Sequence, residues 1–155
     1  MELEGGAATG NFTPKYSFYN SIDMPEAGII SKVSQLNFQE TYDKLKHVIS
    51  DNPNLKLILE LDHQANAASV DLTLPPTRAI FFGNPRLGTH LMASGEFAAL
   101  DLPQKIVVTE REGTITVAYN DPAYLKARHD IEGQDEVIQK IAGALDKITS
   151  VATQA

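Results

Sequence analysis

The chain has no cysteine, which removes disulfides, thiolate metal sites, iron–sulfur clusters and cysteine nucleophiles together. It is also short of basic residues: 13 Lys and Arg stand against 20 Asp and Glu, a formal charge of −7. Such a balance repels phosphate backbones and anionic bilayers at long range, so neither nucleic acid nor a membrane is expected as a partner. No apolar run approaches the roughly 18 residues that would mark a bilayer span. The opening Met1-Glu2-Leu3-Glu4-Gly5-Gly6 has neither the basic nor the apolar stretch of a secretory signal, and a cytoplasmic location is expected. Against these absences, 43% of the 155 residues are hydrophobic, an ordinary globular share. A chain of this size buries roughly 68–70% of its unfolded surface, so one core forms without staples.

Apolar spacing divides the chain into elements. Residues 1–25 mix Gly5, Gly6, Gly10, Pro14 and Pro25 with scattered aromatics and read as an irregular arm, leaving 26–155 as a single domain. Ile29, Ile30 and Val33 suit a first strand. Asn37 with Glu40 forms a capping box, and Phe38, Tyr42, Leu45, Val48 and Ile49 then recur at helical spacing up to Asn52-Pro53. Leu55, Leu57, Leu59 and Leu61 alternate with Lys56, Ile58, Glu60 and Asp62, which predicts a strand with its leucines on the core. A polar loop is expected from Gln64 to Asp71.

Ala79-Ile80-Phe81-Phe82 reads as a central strand, and Asn84-Pro85 starts a short helix carrying Leu87 and Leu91, with a further turn around Phe97–Leu100. Ile106–Thr109 and Ile115–Tyr119 form a hairpin through Arg111-Glu112-Gly113. Asp121-Pro122 opens another short helix, and Val137, Ile138, Ile141, Leu145 and Ile148 mark one face of a long last one. The order predicts an α+β, two-layer fold, a mainly antiparallel sheet of about five strands with helices on one face, the long ones starting near Asn37 and Gln134.

Three blocks resemble the family known as domain of unknown function 302: Leu61-Asp62-His63-Gln64-Ala65; Phe82-Gly83-Asn84-Pro85 with Leu87-Gly88-Thr89; and Leu100-Asp101-Leu102-Pro103 followed by Tyr119-Asn120-Asp121-Pro122-Ala123-Tyr124-Leu125. The resemblance implies a two-layer fold assembled as a homodimer, and brings no agreed reaction or ligand. Where the family pattern often has proline after the threonine of the second block, this chain has His90.

Several residues carry candidate chemistry, each with a plainer structural reading. Gly83-Asn84-Pro85-Arg86 places backbone N–H groups and a guanidinium at a helix N-terminus, as a small-anion site does; an ordinary cap needs the same residues. His63, His90 and His129 end elements near Asp62 or Asp121, yet no two share a helical turn or a His-x-His strand, so no metal site is assigned. Tyr119, Asn120, Asp121 and Tyr124 either line a pocket or simply cap and pack. The chain has no Walker loop, Gly-x-Ser-x-Gly elbow, His-Glu-x-x-His helix or dinucleotide fingerprint, and no cofactor is indicated.

The expectation is a binding module for a small polar or anionic ligand. In it His63, the Gly83-Asn84-Pro85 turn, and Asn120 with Tyr124 converge on one cleft, with Arg86, Tyr119 and His129 further candidates. A metal- or histidine-dependent enzyme and a ligand-free structural subunit are the alternatives.

Overall fold

The computed structural model describes residues 28–155; the arm expected over residues 1–25 lies outside them. Five strands form one sheet in the order β1-β5-β4-β3-β2, with every neighbouring pair antiparallel. They are β1 (Ile29–Val33), β2 (Lys56–Asp62), β3 (Thr77–Gly83), β4 (Gln104–Arg111) and β5 (Thr114–Asn120). The helices are α1 (Phe38–Ser50), α2 (His63–Ala68), α3 (Pro85–Ser94), α4 (Pro122–Arg128) and α5 (Asp135–Thr153), with a 3₁₀ turn over Glu96–Leu100.

Asn37 caps α1 as its spacing predicts: its side chain accepts from Glu40 N at 2.9 Å and Glu40 reaches back to Asn37 N. The apolar stripes of α1 and α5 pack together over one face of the sheet, so the α+β, two-layer expectation holds. Leu45, Ile49, Ile80, Phe82, Ile106, Val108, Val117 and Leu145 are each at most 2% exposed and form the core. Burying one such side chain stabilises the fold by roughly 1.5–3 kcal/mol.

Two expectations fail, each for a local reason. Residues 63–68 are helical rather than a polar loop, because Asp62 Oδ1 accepts from Ala65 N at 2.9 Å and the alanine-rich run that follows favours a helix. No residue of α2 is buried, so no apolar stripe announces it. In β2 the register slips between Leu57 and Leu59: Leu57 pairs with Phe82 and Leu59 with Phe81. This bulge turns Leu59 and Leu61 away from the helices and brings Glu60 and Asp62 beneath them, reversing the predicted facing for the last half of the strand.

Candidate functional site

A cleft of about 760 Å³ opens where the end of β3 meets the start of β2, under α3 and α5. Its size falls within the 300–1,000 Å³ usual for small-molecule sites. Phe82, Leu145 and Ile141 contribute buried apolar surface; Leu87 and Met92 of α3 and the Leu102-Pro103 step form further walls. Asn84 lies at the helix start, and the exposed Asn54 and Lys56 stand on the β2 side. One polar residue is set among the apolar ones. Gln104 lines the cleft at 8% exposure, and among the described residues its Nε2 has no hydrogen-bond partner. Gln104 pairs with Phe82 across β3 and β4, so both side chains share the helix-covered face.

Of the residues singled out from sequence as converging on a cleft, Gly83, Asn84 and Pro85 line this one. The anion-site reading of their turn loses its donors. Pro85 has no N–H, and Arg86 N and Leu87 N both donate to Asn84 Oδ1, at 3.1 and 3.3 Å. Gly88 N is taken by Asn84 O at 3.0 Å. Arg86 and His90 are exposed on α3 outside the lining.

His63 is at the other end of the sheet. Lys56 pairs with Gly83 and Asp62 with Arg78, and Ile58 is the last residue of β2 to line the cleft, so four residues of strand, about 15 Å, separate His63 from it. Tyr119, Asn120 and Tyr124 lie at the β5–α4 junction beyond β4 and do not line it. Tyr119 is 5% exposed, with burial raising its hydroxyl pKa; Asn120 pairs with Ile29 of β1; and the Tyr124 ring covers Gly28. His129 is locked to Asp101 at 2.5 Å, and Arg128 holds the same carboxylate at 3.0 and 3.1 Å. Convergence of all these residues on one cleft therefore does not occur. Among the described residues no three His, Asp or Glu side chains cluster closely enough to hold a metal ion.

The densest charged group lies at the β2 edge. Tyr42 Oη donates to Glu60 at 2.8 Å, Lys46 pairs with Glu60 at 3.0 Å, and Arg78 pairs with Asp62 at 3.2 Å while lying over the Phe38 and Tyr42 rings. Burial, then the bond to Glu60, pushes the Tyr42 hydroxyl well above its usual range. Burial would raise Glu60, but hydrogen bonds from Lys46 and Tyr42 outweigh it and hold the carboxyl low. Asp62 is lowered first by the Ala65 amide and then by Arg78.

Both carboxyls therefore stabilise the fold above the ordinary carboxylate range, and that stability is lost as pH falls through their folded values. A variant carrying Glu60→Gln and Asp62→Asn should be less stable than the parent at neutral pH by about 1 kcal/mol, since these groups are a third exposed. Urea unfolding should show the gap closing towards about pH 2, where both chains carry neutral groups; a constant gap would deny the ionic origin.

The model of the family described as "Domain of unknown function DUF302" matches residues 30–148. Among curated proteins, the chain is 32% identical over 116 residues to "Fluoride-specific ion channel FluC 1" of Brucella suis biovar 1 (strain 1330), covering 74% of this chain and 45% of that protein. The protein of the same name from Brucella abortus biovar 1 (strain 9-941) is also 32% identical, over 74% of this chain and 43% of its own length. The chain thus spans less than half the length of these relatives. No helix among the described residues is long and apolar enough to cross a membrane. Among solved structures, an uncharacterized conserved protein DUF302 from Bacillus stearothermophilus superposes with a TM-score of 0.72 at 15% identity, over 81% of this chain and 98% of that one. That likeness is one of fold.

Proposed function

The chain belongs to the DUF302 family, for which no activity is defined, and from that premise we propose that it is a binding module for a small molecule seated in the cleft between β2, β3, α3 and α5. The observation that carries this reading is the cleft itself: a ligand-sized volume with a mainly apolar wall and few polar side chains, the composition of small-molecule sites. The apolar wall favours a ligand with an apolar body over the wholly polar or anionic one expected from sequence. The fluoride-channel name of the relatives raises fluoride as a ligand, but the α3 N-terminus that would offer it amides is already capped by Asn84.

Gly88 supplies the test. It lines the cleft, and a Cβ built there meets nothing within 4 Å, so a larger side chain enters open space. Gly88→Leu is expected to abolish saturable uptake of the neutral fluorophore N-phenyl-1-naphthylamine. It should leave the fold intact or stabilise it by about 0.5–1 kcal/mol, because leucine replaces glycine inside a helix. Sodium fluoride at matched ionic strength should leave the melting temperature of the parent unchanged. Uptake that survives Gly88→Leu, or a fluoride-dependent rise in melting temperature, would defeat this reading.

A further inference from the structure

Along β4 the residues on the helix-covered face are Gln104, Ile106 and Val108. The last two are fully buried core, and Gln104 occupies the equivalent inward position at 8% exposure with Nε2 unpartnered among the described residues. A buried donor without a partner costs roughly 1–3 kcal/mol, and most buried polar groups in native proteins avoid that cost. An apolar side chain of similar volume would pack there without penalty. Positions that break local consistency in this way concentrate at functional sites. Gln104 and its cross-strand neighbour Phe82 both line the cleft, so the polar defect lies on the wall of a ligand-sized space.

We propose that Gln104 is the polar anchor of the cleft, donating from its side-chain amide to a carbonyl-type oxygen on an otherwise apolar ligand. The inference rests on the cleft reading above and names the ligand class: an aromatic or aliphatic body bearing a ketone, ester, amide or carboxylate oxygen. The terminal torsion of glutamine is soft, so a modest rotation turns the amide to face such an oxygen. Phe82, Leu87 and Leu145 supply the apolar contact, and the ligand oxygen satisfies the donor that the protein leaves unmet.

Two probes of nearly one shape isolate the oxygen: 2-acetylnaphthalene, and 2-isopropenylnaphthalene, in which a CH₂ replaces it. Titrating both into the parent and into Gln104→Leu gives a cycle in which the water-solvation difference between the probes cancels. The ketone-over-alkene affinity ratio is expected to fall about tenfold in Gln104→Leu, through loss of ketone binding with alkene binding kept or improved. Unliganded Gln104→Leu should also melt a few degrees higher than the parent, since the unpaired donor is gone. Gln104→Met serves the same cycle should the leucine variant fold poorly. If both probes bind, Gly88→Leu blocks both, and the ratio does not change, then the cleft stands and Gln104 is not its anchor. If neither probe binds the parent, or Gly88→Leu leaves binding untouched, the cleft reading fails and the anchor with it.

Discussion

Replacing Gly28 by alanine should lower the free energy of unfolding by about 2–4 kcal/mol, measured by urea denaturation. Gly28 has φ +80°, a left-handed conformation that glycine adopts freely and alanine resists by roughly 1 kcal/mol. The larger part is steric. A Cβ on Gly28 would lie 2.3 Å from Tyr124 Cγ and 2.5 and 2.8 Å from the two Cδ atoms, so the ring rests directly on the glycine. The neighbouring backbone holds the arrangement in place, since Asp121 N donates to Gly28 O at 2.8 Å and Ile29 pairs with Asn120.

Neither partner moves without breaking the β1–β5 ladder or the start of α4. Trimming the ring in the double variant Gly28→Ala with Tyr124→Ala should remove most of the clash and leave a coupling energy of about 1 kcal/mol or more in favour of the double change. A Gly28→Ala protein within about 0.5 kcal/mol of the parent would show that the ring does not pack there. The same contact explains why Tyr124, which reads as a ligand-binding aromatic in sequence, serves to close a strand-to-helix junction.

That case illustrates what sequence conveys about this chain. Period and capping are local, so α1 with its Asn37–Glu40 box, α3 after Asn84-Pro85, the β4–β5 hairpin and the stripe of α5 are all legible from residue order. The β2 bulge is not, because four alternating leucines describe a regular strand, and only pairing with Phe81 and Phe82 reveals the slip. Convergence is harder still. His63, Asn84 and Asn120 all end elements, but strand direction decides which end: with β2 and β3 antiparallel, the end of β2 lies beside the start of β3, and His63 is carried away from Asn84. The residue that sequence overlooks, Gln104, did leave a trace. It is a polar side chain at an inward-facing position of a strand whose next inward residues are Ile106 and Val108. The apolar run places the start of that strand at Ile106, two residues late, and only the strand's true start and its burial show that Gln104 is covered.

The strongest dependence of the cleft on a residue outside it should be found at Asp101. Its carboxylate joins the nearly buried His129 at 2.5 Å and Arg128 at 3.0 and 3.1 Å, with side-chain exposures of 14% for Asp101 and 5% for His129. This carboxylate therefore ties the 3₁₀ turn to the C-terminal end of α4. Ala99 lies just before it and Leu102-Pro103-Gln104 just after, and all four line the cleft, so the same tie sets the position of one whole wall. Asp101→Ala strands a buried imidazole and removes an acceptor from Arg128, and the expected loss of stability is about 2–4 kcal/mol. Asp101→Asn keeps the shape and one acceptor oxygen, and its loss should be smaller. If the wall is held as described, Asp101→Ala should also weaken uptake of N-phenyl-1-naphthylamine under conditions where the protein is still fully folded, with Asp101→Asn intermediate in both measurements. A variant that loses stability but binds the fluorophore as the parent does would show that the Asp101–His129 pair supports the fold alone and leaves the wall in place.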